Sequence, residues 1–372
     1  MVSKLRLRVN GLVFEGWQNV KITHDVTQLC SAFSLAVVDR WFGQVDRFPL
    51  SSGMACEVLI DNEIVLSGYI DVVSRSISAT ENQIEVSGRS KAGDLVDCSV
   101  DTIEFNSQNF VKIIERVAQP FNITVINESK VKPVNLPKKA FKSGDTCVSV
   151  ISKLAKLHGV MVISDGVGQI IITQPGFGGN AHDSLILGKN IKEASYTEDY
   201  TQIFSKITVK SQTNSTGGVG KFESLSAAKL SVTPSGTAQK AANATVVGGV
   251  NRYRPLVIIA DEQSNAKQCQ DRAEFEVGSR EGKSKKITVK VVGWRQTNGD
   301  LWGINTLVNV DIPTFNLKTT LLIGKIDFEI GKEGETAIME LMDKKAYNVL
   351  KEVPKKEGGG KPQNITKLSA AK

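Results

Sequence analysis

The stretch Thr27-Gln28-Leu29-Cys30-Ser31, followed at alternate positions by Phe33 and Leu35, returns later as Thr201-Gln202-Ile203-Phe204-Ser205, followed by Ile207 and Val209. Three further matches keep the same order. Phe33-x-Leu35-x-Val37-Val38 matches Ile287-x-Val289-x-Val291-Val292, and Leu66-x-Gly68-x-Ile70-Asp71 matches Leu322-x-Gly324-x-Ile326-Asp327. Ile84-x-Val86 matches the pattern between Ile338 and Leu341. Any one match is weak, because strands alternate apolar and polar residues and so resemble one another. Four in one order point to a duplicated β unit.

Working outward, the first copy reads as short strands over residues 5–9, 17–23, 33–38, 57–60, 64–70 and 83–87. They are punctuated by Asn10-Gly11, Ser51-Ser52-Gly53 and Asp61-Asn62. Such spacing suggests a small antiparallel barrel or sandwich. Trp41-Phe42 is read as packing at a barrel end in preference to an exposed contact. The second copy, within 186–345, is split by an insertion over 211–285. The first part of that insertion is rich in Gly, Ser, Thr and Ala. Its second part predicts an amphipathic helix over 262–280 with Ala266, Cys269, Ala273 and Val277 on one face. Arg252, Tyr253 and Arg254 precede it as a possible contact site, although a plain surface loop accounts for them as well.

Between the copies, residues 101–185 read as an α/β module. A helix over 107–118 carries Phe110, Val111, Ile114 and Val117, and Pro120 stops it. A second helix is capped by Asp145 and ends at His158-Gly159, read as a cationic C-terminus followed by a Gly stop. A hairpin turns on Asp165-Gly166-Val167-Gly168. The expected fold class is α+β, mainly β: two similar small antiparallel β-barrels flanking an α/β module, with a helix-containing insertion in the second barrel. The expected domains are 1–100, 101–185 and 186–345, followed by a basic flexible tail over 346–372.

The first copy meets the module at 83–99. Gly88 breaks a strand, Ser90 reads as the N-cap of a short helix, and Arg89 lies near Asp94 and Asp97 in sequence. This is either a charged active-site corner or a structural joint in which Arg89 ties down the turn. The joint (Gly88, Arg89, Asp94, Asp97) is preferred, because structural ion pairs also gather charge.

The totals bound the function classes. The 372 residues carry a net charge of +7, spread as −3 over 1–100, +2 over 101–185, +4 over 186–345 and +4 over the last stretch. No Lys/Arg run of the kind that tracks phosphates stands in the folded part. The five cysteines are scattered without a CxxC, so neither a disulfide framework nor a zinc site is expected. No apolar run reaches the ~18 residues of a membrane span. Gly176-Phe177-Gly178-Gly179 lacks the Lys-Ser/Thr of a phosphate loop. His24-Asp25 and His182-Asp183 stand near no serine motif. No catalytic, cofactor or metal site is expected.

The order of these pieces resembles the baseplate hub proteins of contractile phage tails, and among them the tail protein P family of Mu-like phages and prophages. The resemblance is carried by Gly88-Arg89-Ser90, Gly93-Asp94-Leu95-Val96-Asp97-Cys98-Ser99, Asp271-Arg272-Ala273, Arg280, Gly293-Trp294 and Gly299-Asp300-Leu301-Trp302-x-x-Asn305. It implies a structural protein and not an enzyme: a homotrimer whose two barrels per subunit alternate in a ring around a channel. The partners it implies are the tail tube, the central spike, the baseplate wedge and DNA that passes without tight binding. The place it implies is the virion baseplate, assembled in the host cytoplasm. Two other readings are a tail-associated peptidoglycan hydrolase and a nucleic-acid-binding module using Arg252, Arg254 and the Lys-rich tail.

Overall fold

The computed structural model describes residues 3–38, 49–78, 82–101, 104–105, 107–132, 135–136, 139–141, 144–211, 243–260 and 266–351. The first β unit contains β1 (Leu5–Val9), β2 (Leu12–Phe14), β3 (Asn19–Asp25), β4 (Ala32–Val38), β5 (Ala55–Ile60), β6 (Glu63–Ile77) and β7 (Asn82–Ser90). Period-two alternation sends Leu5, Leu7 and Val9 of β1 inward, with Arg6 and Arg8 between them. Asn10 and Gly11 link β1 to β2 in a two-residue loop, both at positive φ as the tight hairpin turn requires.

The module follows: α1 (Gly93–Asp97), α2 (Phe110–Ala118), β8 (Thr124–Asn127), α3 (Cys147–His158), β9 (Met161–Ser164) and β10 (Gln169–Thr173). Its own apolar core joins Leu95, Phe110, Ile113, Ile114, Val150, Ile151, Leu154, Ile170 and Ile172. Asn109 caps α2 through Lys112 N at 2.9 Å. Thr146, not Asp145, caps α3 through Ser149 N, and Asp145 pairs instead with Lys153. Gly159 ends α3 at φ 64, as expected. His158, however, is no cationic cap. It is buried and stacked on Phe110 at 3.9 Å, and burial pushes its pKa down.

The second β unit contains β11 (Leu185–Ile186) and β12 (Ile191–Glu198). The chain then leaves the sheet at Asp199, before the expected residue 211. It forms a separate three-stranded sheet of β13 (Lys206–Ser211), β14 (Asn243–Val247) and β15 (Pro255–Ala260), with α4 (Ala266–Ser284) against it. Val209, Ala244, Cys269 and Ala273 form its small core. The unit resumes with β16 (Lys285–Val292), β17 (Leu307–Ile312), β18 (Leu317–Gly331) and β19 (Gly334–Met342).

Strand order displays the duplication. The large sheet runs β12-β16-β19-β18-β3-β4-β7-β6-β5-β1-β2, with β17 beside β18. Its two halves, β3-β4-β7-β6-β5 and β12-β16-β19-β18-β17, repeat one order. Registers agree: Ile22 faces Phe33 and Val20 faces Leu35, as Tyr196 faces Ile287 and Ala194 faces Val289. Asp25 and Asp199 each accept from the backbone N of the Thr two residues on, Thr27 and Thr201. The counterpart of Phe33 and Leu35 is therefore Ile287 and Val289. Ile207 and Val209 belong to the insertion, which sits where the first unit has only its β3–β4 turn.

The Leu66/Leu322 match is out of register by three residues. Long strands β6 and β18 each carry a β-bulge where they pair with β7 and β19, between Ile70 and Val72 and between Ile323 and Lys325. Aligning the bulges makes Ile70 the equivalent of Ile323, and places buried Cys56, Val58 and Ile60 with buried Val308, Val310 and Ile312. The repeated Leu-x-Gly-x-Ile-Asp wording was a coincidence of strand composition.

The chain is mainly β, as expected, but the two units are not two closed barrels. Among the described residues the sheet is an open path, and β18 pairs β3 so that both units share one apolar core. The tail also begins later than 346. Ala346 is buried, and a Cβ on Gly324 would collide with the Tyr347 ring. Residues 352–372 and Trp41-Phe42 lie outside the described residues. No helix among those described is long and apolar enough to cross a membrane.

Candidate functional site

Two places concentrate polar geometry: the joint at Arg89 and the seam between the β units. At the joint, β7 continues through Ser90, so Ser90 is not the cap of α1. Its hydroxyl accepts from Ser31 N at 3.1 Å, and its own N–H donates to the Ser31 carbonyl. Gly88 is required by close approach: a Cβ there would strike the Tyr69 carbonyl and lie 2.8 Å from the Phe33 ring. Arg89 donates to Asp97 Oδ2 at 2.7 Å and to Asp71 Oδ2 at 2.8 Å. These hydrogen bonds, led by that to Asp97, raise the guanidinium pKa, and Arg89 holds the Asp97 carboxyl below its ordinary value.

Asp71, on β6, takes the place that sequence proximity assigned to Asp94. Sequence could not find it, because β6 meets β7 only through the sheet. Burial raises the Asp94 pKa and the Arg89 charge opposes that rise. Leu29, from the β3–β4 turn, and Leu95, from α1, are buried together in the module core. The β3–β4 turn of unit one thus enters the module core beside the Arg89 ion pairs.

At the seam, β18 pairs β3 antiparallel from Lys325↔Asp25 to Ile330↔Val20. Ile326, Phe328, Ile22 and Val20 fill the inner face. On the other face Thr23 Oγ1 donates to Asp327 Oδ1 at 2.6 Å, and Lys21 and Lys325 each stand 3.3 Å from Asp327. Lys21 also meets Glu329 at 3.1 Å. A second clamp is Arg295, which reaches Asp61 at 3.2 Å and Glu63 at 3.0 Å in the β5–β6 turn.

Most of the other residues singled out in the sequence have structural partners. Arg254 donates to the Tyr200 and Thr201 carbonyls and lies 5.1 Å from the centre of the Phe204 ring, while Tyr253 is exposed and Arg252 is exposed beside it. Gly176 N donates to Asn305 Oδ1 and Gly178 N to the Asn305 carbonyl, so the glycine loop docks on the second unit. His24 Nδ1 meets Ser31 Oγ at 2.8 Å, and burial pulls its pKa down to about 4. His182 pairs with Asp183, which is engaged by Thr297. No cluster of His, Cys, Asp and Glu fit to hold a metal occurs among the described residues.

Comparison with known proteins gives three matches along the chain. Residues 4–90 match the family model of the Mu phage baseplate assembly protein GpP-like N-terminal domain. Residues 92–174 match the second domain of baseplate hub protein gp44-like proteins, and 265–349 match the fourth domain of Mu phage baseplate assembly protein GpP. A 43 kDa tail protein of prophage MuSo2 from Shewanella oneidensis is 31% identical, covering 93% of this chain and 99% of that one, with a TM-score of 0.79. The chain belongs to the Mu-like baseplate hub family. Baseplate hub protein gp44 of Escherichia phage Mu is similar along its length, 29% identical over 98% of this chain and 94% of that protein. A tail protein from Neisseria meningitidis MC58 shares the fold at 19% identity and a TM-score of 0.74, covering 92% of this chain and 97% of that one. As a family member the chain is a structural component of a phage tail baseplate, and its relatives carry the names of hub and assembly proteins rather than enzymes.

Proposed function

We propose that this hub works as a homotrimeric ring that joins the tail tube to the central spike and lets DNA pass. The observation that carries the reading is the duplicated β unit with one strand order in both halves. Three chains then present six like units, matching a sixfold tube on one face and a threefold spike on the other. Each unit acts as one barrel-like segment of the ring. A head-to-tail ring needs a contact between unit one of one chain and unit two of the next, which a duplicated unit can supply.

In this reading the protein has no catalytic activity, and baseplate wedge proteins meet the outer faces. The ring is assembled in the host cytoplasm before it joins the tail. The Arg89 joint, with Gly88, Asp94 and Asp97, fixes the module to unit one, while Arg252, Tyr253 and Arg254 form an outward contact point. A conduit for DNA should hold phosphates weakly, because each neutralised phosphate adds affinity; the net −3 of residues 1–100 accords with that. Light scattering of the purified protein at micromolar concentration should give the trimer mass, and negative-stain images should show rings with a central hole. A monomer at those concentrations would overturn the proposal.

A further inference from the structure

The module brings together two cysteines that no sequence motif connects. Ser99, just beyond α1, bridges Thr146, the cap of α3, in antiparallel fashion. On one side of that bridge Val100 N donates to the Asp145 carbonyl at 2.9 Å, and on the other Cys147 N donates to the Cys98 carbonyl at 3.0 Å. Cys98 and Cys147 therefore stand directly opposite each other, with their side chains on one face of the bridge. Val100 and Cys147 enter the module core from that face, and Cys98 is exposed. Opposite residues joined in this way have Cα atoms about 5.5 Å apart. That separation lies in the middle of the range a disulfide spans. Burial raises the Cys147 thiol pKa, and the neighbouring Cys98 raises it further.

The other thiols are placed differently. Cys56 lies in the core shared by the β units, and Cys269 in the small core of the insertion. Cys30 is half-buried, with Arg89, Asp97 and Asp71 as its charged neighbours.

We infer that Cys98 and Cys147 form a redox site: oxidation by a small disulfide such as oxidised glutathione joins them within one chain and staples the end of α1 to the start of α3. The exposed Cys98 thiolate attacks a sulfur of oxidised glutathione and expels one glutathione thiolate, which takes up a proton. Cys147, deprotonated, then attacks the Cys98 sulfur of the mixed disulfide and expels the second glutathione. The protein gives up two protons and two electrons, and one glutathione disulfide becomes two thiols. The new bond closes a loop that holds α2 and β8, and long loops gain most from closure. A reducing cytoplasm keeps the pair as thiols, and an oxidising medium outside the cell closes it. The hub thus folds with the pair open and is stapled after release; this timing alone rests on the cytoplasmic assembly proposed above.

The test uses the full chain, purified under reductant, freed of it and treated with oxidised glutathione at mildly alkaline pH. The free-thiol count of the denatured protein should fall by two from five. Digestion without reductant should release one peptide pair joining residues 98 and 147, lighter than the separate peptides by two hydrogens. The oxidised chain should melt at a higher temperature than the reduced one, and dithiothreitol should reverse the rise. Cys98→Ser should form no link and show no oxidant-dependent rise. Glutathione retained on Cys98, a Cys98–Cys30 link, or a Cys98–Cys98 link between copies would overturn the pairing. The expected link without a higher melting temperature would overturn the staple. None of these outcomes bears on the ring, which light scattering tests separately.

Discussion

Thr23 and Asp327 stand 304 residues apart in the chain, yet the hydroxyl of one donates to the carboxylate of the other at 2.6 Å. Asp327 is nearly buried and flanked by Lys21 and Lys325. Removing it leaves the Thr23 hydroxyl without its acceptor and strips each lysine of one of its two carboxylates, since Lys21 also meets Glu329 and Lys325 also meets Glu340. Asp327→Ala is therefore expected to cost about 3 kcal/mol, and Thr23→Val about 1 kcal/mol. Urea unfolding of both single variants and the double variant should give a coupling energy on the order of 1 kcal/mol. Strict additivity would show that the two do not act together.

The Arg89 joint makes an ordered prediction. Arg89, Asp71 and Asp97 are each about a third exposed or more, so each pair contributes modestly. Arg89→Ala is expected to lower stability by about 1 kcal/mol through the lost pairs and its packing beside Gly93. Asp71→Ala should cost more than Asp94→Ala, because Asp71 and not Asp94 is bonded to the guanidinium. Thermal melts of the three variants check that order.

His24 sets a pH dependence. Its folded pKa of about 4 lies below the ~6.5 of an unfolded histidine, so between those values the unfolded chain binds the extra proton. Stability from this group is thus full above about pH 6.5 and is lost as pH falls toward 4, a change on the order of 3 kcal/mol. His24→Gln should flatten that part of the profile in urea melts from pH 4 to 7. An unchanged wild-type slope in the variant would assign it to other groups.

Gly88 is a position where one methyl group should matter strongly. A Cβ there meets a backbone carbonyl and an aromatic ring at once, and the carbonyl belongs to a strand held on both sides. Gly88→Ala is expected to destabilise by about 3 kcal/mol. Gly299→Ala has open space around it, and only its positive φ opposes the change. It should cost about 1 kcal/mol. Chemical unfolding of the pair separates overpacking from backbone strain.

Much of this architecture was legible in the residues themselves. The alternation of Leu5, Leu7 and Val9, the Asn10-Gly11 turn, the apolar faces of α2 and α3, and the repeated Asp-x-Thr-Gln turn are local signals, set by spacing and backbone geometry. They sufficed for the mainly β class, the intervening module and the duplication. Which strand of one unit meets which strand of the other was not legible, because a ladder between residues 20 and 330 leaves no periodic trace in either segment. The same reason hid Asp71 behind Asp94 and put one sequence match three residues out of register. Local pattern names the strands; only burial on both faces and the position of the bulges decide their partners. The sequence alone determined that this chain carries one β unit twice, and tertiary structure decided that the two copies share a sheet, through a seam between residues 20–25 and 325–330 that only burial on both faces could select.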